Sequence, residues 1–310
     1  METVRRAVID VGTNSIKLLV ADVCGREVSP VHEDSKQTRL GQGFYETQRL
    51  QPENIARTAK AVGEFLAMAC ERSAVSIRVI ATSAARDAVN PRDLTEAIER
   101  ASGLKTEIIS GAREAEWTFQ GVATDAEMAR QPLLLLDVGG GSTELIIGQG
   151  AKMNFAHSFP LGTVRLLEKY SFSDPPTRGE FNTCRDWVRN FLQQEVRPQI
   201  EPALKNETGP IQLIGTGGTT SILARVEKKL DHFDRNRIER AVLTREQITA
   251  HRKHLWQLPL VERKEIPGLP KKRADVILTG VLIFEEVMEE FGFHELRVST
   301  RGLRYAALMD

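Results

Sequence analysis

A chain of 310 residues exceeds what one hydrophobic core usually holds, so two domains of ordinary size are expected. Apolar residues at 41% and charged ones at 27% fit a globular protein and exclude a disordered one. The 42 basic and 42 acidic side chains cancel, which excludes a whole-molecule field drawing the chain to nucleic acid or an anionic membrane, so an anionic substrate requires a local basic patch.

Glu2, Arg5 and Arg6 lead into an apolar stretch that ends at Asp10, too short for a signal peptide or a membrane span. Cys24, Cys70 and Cys184 are far apart, odd in number and in no ligand spacing, so three reduced thiols in a cytoplasmic protein are expected. Apolar runs over 7–11 and 16–23 read as a hairpin, and a third strand is expected over 31–39. A helix starts at Pro52, which suits a first turn, with Ile55, Ala59, Val62 and Leu66 at helical spacing. A strand over 77–81, a helix after Asn90-Pro91, a strand over 106–109 and a helix over 112–121 follow. This order predicts a mixed sheet with helices on its faces. Residues 124–132 are polar or structure-breaking and mark a boundary. Beyond it come a strand over 133–136, a charged helical region over 177–204, a strand over 211–214, the loop Gly215-Thr216-Gly217-Gly218-Thr219, helices as far as Glu290, a strand over 295–298 and a last helix from Arg301.

The segment Ala7-Val8-Ile9-Asp10-Val11-Gly12-Thr13-Asn14-Ser15 has a second copy in Leu134-Leu135-Leu136-Asp137-Val138-Gly139-Gly140-Gly141-Ser142. Both are an apolar run followed by D-V-G-x-x-S, and each leads at once into another apolar stretch. Asp137 lies 127 residues after Asp10, about one domain length, so two related lobes are expected.

Three glycine-rich segments follow apolar strands: Gly12, Thr13, Asn14 and Ser15; Gly139, Gly140, Gly141, Ser142 and Thr143; and Gly215, Gly217 and Gly218. Without side chains the backbone approaches an anion closely and aims successive N–H groups at it, and hydroxyls add donors. One such turn is merely a tight hairpin; three, two of them preceded by Asp, point to phosphate. Their spacing is neither that of the dinucleotide fingerprint nor that of G-x-x-x-x-G-K-[ST]. Asp10 and Asp137 stand where strands end and turns begin, and a carboxylate beside a polyanion needs a cation. Magnesium fits, with Asp137, Asp10 and Glu144 as candidate ligands; hydrogen bonds to their own turn amides are the alternative for the two aspartates.

The sequence closely resembles the exopolyphosphatase and guanosine pentaphosphate phosphohydrolase (Ppx/GppA) family of the actin, acetate and sugar kinase and heat-shock protein 70 superfamily. The resemblance runs through A-V-I-D-V-G-T-N-S from Ala7, R-L-G-Q-G from Arg39, A-T-S-A-A-R-D-A from Ala81, I-S-G-A-R-E-A from Ile109 and L-L-D-V-G-G-G-S-T-E-L from Leu135. It continues through F-P-L-G-T-V-R-L from Phe159, G-T-G-G-T from Gly215, R-A-D-V-I from Arg273 and V-S-T-R-G-L-R from Val298. The glycine turns alone indicate only the superfamily; I-S-G and R-A-D-V-I, in order with the rest, specify the family.

The resemblance implies two actin-like (ribonuclease H-like) α/β domains with mixed sheets and an interdomain cleft. The first spans 1–127, with the final helix over about 301–310 packing back on it, and the second spans 128–300. It implies Glu114 as the catalytic residue and Arg86 as an arginine for phosphate oxygens. It also places Arg165 and Arg273 within family motifs as phosphate-binding candidates. The family's I-S-G-x-E-E-A becomes I-S-G-A-R-E-A here, so Arg113 stands beside the proposed base, where it either depresses the acidity range of Glu114 or points away along the helix. Among Arg263, Lys264, Lys271 and Lys272, which are candidates to guide a long phosphate chain, a solvated face is the expectation for Arg263 and Lys264. His251 and His254 read as surface residues and not as a zinc site.

The expected activity is magnesium-assisted hydrolysis of terminal phosphate from inorganic polyphosphate, with manganese as the alternative ion. Hydrolysis of guanosine pentaphosphate stays open, as do a superfamily kinase and a non-catalytic phosphate sensor. Longer members carry a further helical domain with a His-Asp motif, and in this short form grip on long chains is expected to be either weaker or supplied by a homodimer.

Overall fold

The computed structural model describes residues 2–310. The chain begins β1 (Val4–Val11), β2 (Ile16–Cys24), β3 (Glu27–Lys36), α1 (Pro52–Glu71), β4 (Ser76–Ala81), α2 (Ser83–Asp87), α3 (Pro91–Ser102), β5 (Thr106–Ile108) and α4 (Gly111–Val122). Then come β6 (Leu133–Val138), β7 (Thr143–Gln149), β8 (Lys152–Phe159), α5 (Thr163–Tyr170), α6 (Arg178–Phe191), α7 (Arg197–Lys205), β9 (Gln212–Thr216) and α8 (Gly217–Glu227). It closes with α9 (Arg235–Ile238), β10 (Val242–Thr244), α10 (Arg245–Gln257), α11 (Leu260–Arg263), α12 (Ile277–Glu290), β11 (Glu295–Val298) and α13 (Leu303–Met309).

Two compact units result, one of residues 2–124 with Arg301–Asp310, the other Asp125–Thr300. The first unit's sheet has the order β3-β2-β1-β4-β5, with antiparallel β1, β2 and β3 and parallel β1, β4 and β5. In the second unit the order β8-β7-β6-β9-β11 repeats that pattern, and antiparallel β10 is added at the edge. The D-V-G repeat thus marks a duplicated mixed α/β sheet.

Strand periodicity assigns the faces. Ile9, Val11, Leu18 and Val20 point to one side, where Ile55, Val62 and Phe65 of α1 and Leu94 and Ile98 of α3 cover them. Val8, Leu19 and Ala21 point to the other, against Trp117 of α4 and Leu303, Ala306 and Ala307 of α13. In the second unit α12 is buried along nearly its whole length, as an all-round apolar helix must be.

Two of its side chains break that rule, Glu285 and Glu286, and both are buried against arginines: Glu285 meets Arg252 at 2.7 Å and Glu286 meets Arg189. Burial pushes the Glu286 carboxyl up to about 7, which Arg189 only partly opposes. The native state therefore holds a proton between pH 4.5 and about 7 that the unfolded chain has released, so this group's contribution to stability falls as pH rises through that window. Glu286→Gln is expected to gain about 2 kcal/mol relative to the parent between pH 5 and pH 8, measured by urea unfolding at both. A difference that stays flat with pH would contradict it.

Several element boundaries depart from expectation. The third strand covers Glu27–Lys36, because Arg39 takes a left-handed φ of 53° that no strand can hold. The 177–204 region is broken by a π-turn over Leu192–Val196, after which Pro198, lacking an amide, opens α7. The unit boundary falls between Thr124 and Asp125 and not after residue 127. Thr124 bonds Gly121 and Arg301 of its own unit, whereas Asp125 is gripped by Arg240 at 2.8 and 2.9 Å and caps the amides of Glu127 and Met128. Gly217 and Gly218 form the first turn of α8, so the expected third glycine loop is a strand-to-helix junction. Among the described residues, no helix is long and apolar enough to cross a membrane.

Candidate active site

The turn after β1 closes with a bond from the Gly12 amide to the Ser15 carbonyl, 3.1 Å. A second loop covers it: the Gly41 amide donates to the Thr13 carbonyl (2.7 Å) and the Arg39 amide to the Asn14 carbonyl (2.9 Å). Gly41 is needed for this approach, since a Cβ there would lie 2.3 Å from the Thr13 methyl. Taking up the carbonyl oxygens keeps them from repelling an anion at the turn, so R-L-G-Q-G serves the turn before it. Asn14 is nine-tenths buried and accepts from Gln37 at 3.0 Å.

Glu114 lies in the first turn of α4, a helix capped by Ser110, whose hydroxyl accepts from the Arg113 amide at 3.2 Å. Its carboxylate is nearly buried, and Oε2 accepts from Arg86 Nη1 at 2.9 Å. Arg86, on the short helix α2, also donates to the Ile109 carbonyl at 3.3 Å, which ties α2 to the turn preceding α4. The surface alternative for Arg86, a pair with Asp87, is present as a longer contact of 3.5 Å. Arg113 points away from Glu114: it pairs with Glu116 at 3.1 Å and Asp310 at 3.0 Å and lies over the Trp117 ring.

The second unit repeats the arrangement with different partners. The Gly139 amide bonds the Ser142 carbonyl at 2.9 Å; the Gly139 and Gly140 carbonyls accept from the first amides of α5, Thr163, Val164 and Arg165, at 2.9 to 3.1 Å. Gly162 permits this contact, as a Cβ there would sit 2.4 Å from the Gly140 oxygen. Arg165 donates Nε to the Gly141 carbonyl at 2.9 Å, so part of its guanidinium builds the turn and does not await a phosphate. Thr143 is fully buried, and its hydroxyl is given to the Leu161 carbonyl at 2.6 Å. Gly215 likewise lies inside β9, against Leu296 and Thr220. Gly217, with a φ of +88°, abuts Asp137: a Cβ would fall 2.2 Å from its Oδ1. Arg273 stands beside Gly218, its Nη2 3.0 Å from where a Cβ would be.

The cross-strand partners separate the two aspartates. Asp10 pairs with Lys17 and Asp137 with Glu144, each seven positions on, at directly opposed sites of an antiparallel ladder. In the first unit, burial pushes the Asp10 carboxyl up, and Lys17 and Arg304 pull it partly back; its Oδ1 is buried with no hydrogen-bond partner. Two carboxylates on directly opposed positions, with Cβ atoms about 5 Å apart, are like charges that destabilise the ladder. The second unit keeps this pair with Glu144 buried and accepting from Ser158 at 2.7 Å. Lys17 and Ser158 were not singled out from sequence; the shared seven-residue offset was the available signal for Lys17.

The remaining basic candidates are dispersed. Lys264, Lys271 and Lys272 are exposed, Lys271 with Glu265 at 2.9 Å. Arg263 is not on a solvated face: it is 4% exposed and held at 3.1 Å by Asp174, which also accepts from the Leu260 amide at 2.7 Å and so ties down the start of α11. His251 bonds Glu227 at 2.7 Å.

Two copies of one sheet topology, each with an Asp-headed glycine turn whose carbonyls are drawn away by the following segment, define an actin-like phosphate-handling protein. The chain belongs to the Ppx/GppA phosphatase family, whose model matches residues 19–310, and it is a phosphatase of that family. It is 35% identical to exopolyphosphatase 2 of Mycobacterium tuberculosis, over 98% of this chain and 97% of the relative. Among solved structures, the Ppx/GppA enzyme of Aquifex aeolicus superposes with a TM-score of 0.78 at 31% identity, covering 99% of each chain. An exopolyphosphatase from Cytophaga hutchinsonii superposes with a TM-score of 0.87 at 28% identity, covering 98% of this chain and 96% of that one. The family resemblance and the two-domain α/β class read from the motifs both hold.

Proposed function

We propose that this protein is an exopolyphosphatase that removes terminal phosphate from inorganic polyphosphate. The observation that carries the reading is Glu114, a nearly buried carboxylate held at 2.9 Å by Arg86 in the first turn of a capped helix. A carboxylate fixed in this way accepts the proton of a water as its oxygen bonds to the terminal phosphorus. The phosphoanhydride bond then breaks, and the shortened chain leaves with the electron pair. Arg86 presents a planar fork of donors, one arm of which holds Glu114, a geometry that also suits phosphoryl oxygens. Each unit offers backbone N–H groups that suit phosphate oxygens: the Gly12 turn in the first, and in the second the Gly139 turn and the start of α8, with Arg273 beside it. Positioning and electrostatics supply most of the acceleration in such a reaction.

A magnesium ion, or manganese in its place, suits Asp137 and Glu144. Magnesium asks for only one or two carboxylates beside water and phosphate oxygens, and the opposed pair offers two; no cluster of three or more candidate ligands occurs among the described residues. Asp10 suits it less, since Lys17 already stands opposite with a positive charge. When bound, such an ion neutralises charge on the phosphate chain.

Phosphate release with magnesium, measured in parallel on long polyphosphate, short polyphosphate, guanosine pentaphosphate and ATP, tests the assignment. Polyphosphate is expected to be hydrolysed fastest. Preference for guanosine pentaphosphate would replace it with the sister activity, and binding without release from any of the four would leave only a sensor.

A further inference from the structure

The face of the first unit's sheet that carries α13 holds a group of ions that the steps above do not use. Trp117, fully buried, has the Arg78 guanidinium 4.9 Å and the Arg113 guanidinium 4.6 Å from its ring centre. Asp310 joins them: Oδ1 accepts from Arg113 at 3.0 Å and Oδ2 from Arg78 at 3.1 Å. A carboxylate just past the C-terminus of a helix meets that helix's negative end and is unfavourable there unless cations offset it. Arg78 and Arg113 do so directly, and the helix end is also capped by Arg6, which donates to the Leu308 carbonyl at 2.8 Å, and by Arg78, which donates to the Ala307 carbonyl at 3.3 Å.

The same helix holds α4 at its other end. Gly121 is packed so closely on Gly302 that a Cβ would lie 2.0 Å from the Gly302 oxygen, and Arg301 donates to Thr124 at 3.1 Å. α4 is therefore fastened to α13 at two places, near Gly121 and Thr124 and, through Arg113, in its first turn. Glu114 is the next residue along that turn.

We propose that Arg113 and Asp310 are positioning residues for hydrolysis: their ion pair fixes the rotation of α4 about its axis, and with it the direction in which Glu114 presents its carboxylate. The proposal rests on the reading of Glu114 as proton acceptor. Arg113 and Asp310 are each more than one-third exposed, and exposed pairs add little to stability, so melting temperature is expected to report poorly on this contact. Turnover is the sensitive readout, because a displacement of about 1 Å at a reacting group costs about a hundredfold in rate.

The experiment compares Asp310→Asn, Asp310→Glu, Arg113→Gln and the double variant Arg113→Gln/Asp310→Asn on long polyphosphate with magnesium, with a thermal melt of each preparation. Expected are a fall in kcat of about fivefold to tenfold for Asp310→Asn with KM within about twofold, recovery of most of it in Asp310→Glu, and a double variant no worse than the poorer single one. An unchanged kcat in Asp310→Asn overturns the proposal, and so do strictly multiplicative losses in the double variant or a loss seen only in KM. Arg113→Gln keeps the question open to measurement if Asp310→Asn fails to fold. Glu114→Gln, assayed alongside, separates the two levels: an active Glu114→Gln removes the reading on which the proposal stands, whereas an inactive one with Asp310→Asn unchanged refutes the positioning role alone.

Discussion

Glu114→Gln is expected to lower kcat on polyphosphate by at least about a hundredfold while leaving the dissociation constant for the chain within about threefold. A positioned general base contributes about 100- to 10,000-fold, and the amide cannot take a proton. The substitution preserves shape and keeps an oxygen able to accept from Arg86, so α4 and its attachment to α2 are expected to persist. Single-turnover phosphate release and equilibrium binding of polyphosphate, measured on the same preparation, decide the matter. Wild-type turnover would remove Glu114 from the mechanism, and equal loss of binding would make it a structural group only.

The second large effect concerns the opposed carboxylates. Glu144→Lys gives the second hairpin the Asp–Lys pairing that the first already has. It is expected to abolish magnesium binding by calorimetry and to lower the rate by at least about a hundredfold, the scale at which a bound divalent ion stabilises charge in a transition state. Circular dichroism should be unchanged, because an ion pair replaces a repulsion across the same two strands. Magnesium heats equal to those of the parent would refute the assignment of the ion to Asp137 and Glu144. Ser158 loses its acceptor in this variant, so Glu144→Gln, which retains one, serves as the milder comparison.

Much of the molecule was legible in advance because its signals are local or repeated. The alternation of apolar residues in β1, β2, β6 and β7, the spacing of Ile55, Ala59 and Val62, and the paired D-V-G turns each depend on neighbours within a few positions. Such patterns survive in any tertiary setting. Other elements carried weak signals. β8 lies at the edge of its sheet with Lys152, Met153 and Asn154 exposed, which blurs the two-residue period, and α2 has only five residues. α5 was missed for a different reason: its first amides are used by the Gly139 turn, a bond made to residues more than twenty positions earlier.

The sequence by itself determined a duplicated mixed α/β chain with glycine turns headed by Asp10 and Asp137, and its motifs pointed to Glu114 and Arg86. Only the tertiary structure decided that Asp10 faces Lys17 while Asp137 faces Glu144, that Arg165 and Thr143 build the turn, that Arg263 is buried, and that Arg113 turns away to Asp310. The physical reason is the same in each case. Charge and hydrogen-bonding capacity belong to the residue type, but which partner answers them depends on ladder register, on close backbone approach at Gly41, Gly162 and Gly121, and on the return of α13, and these join residues up to 302 positions apart.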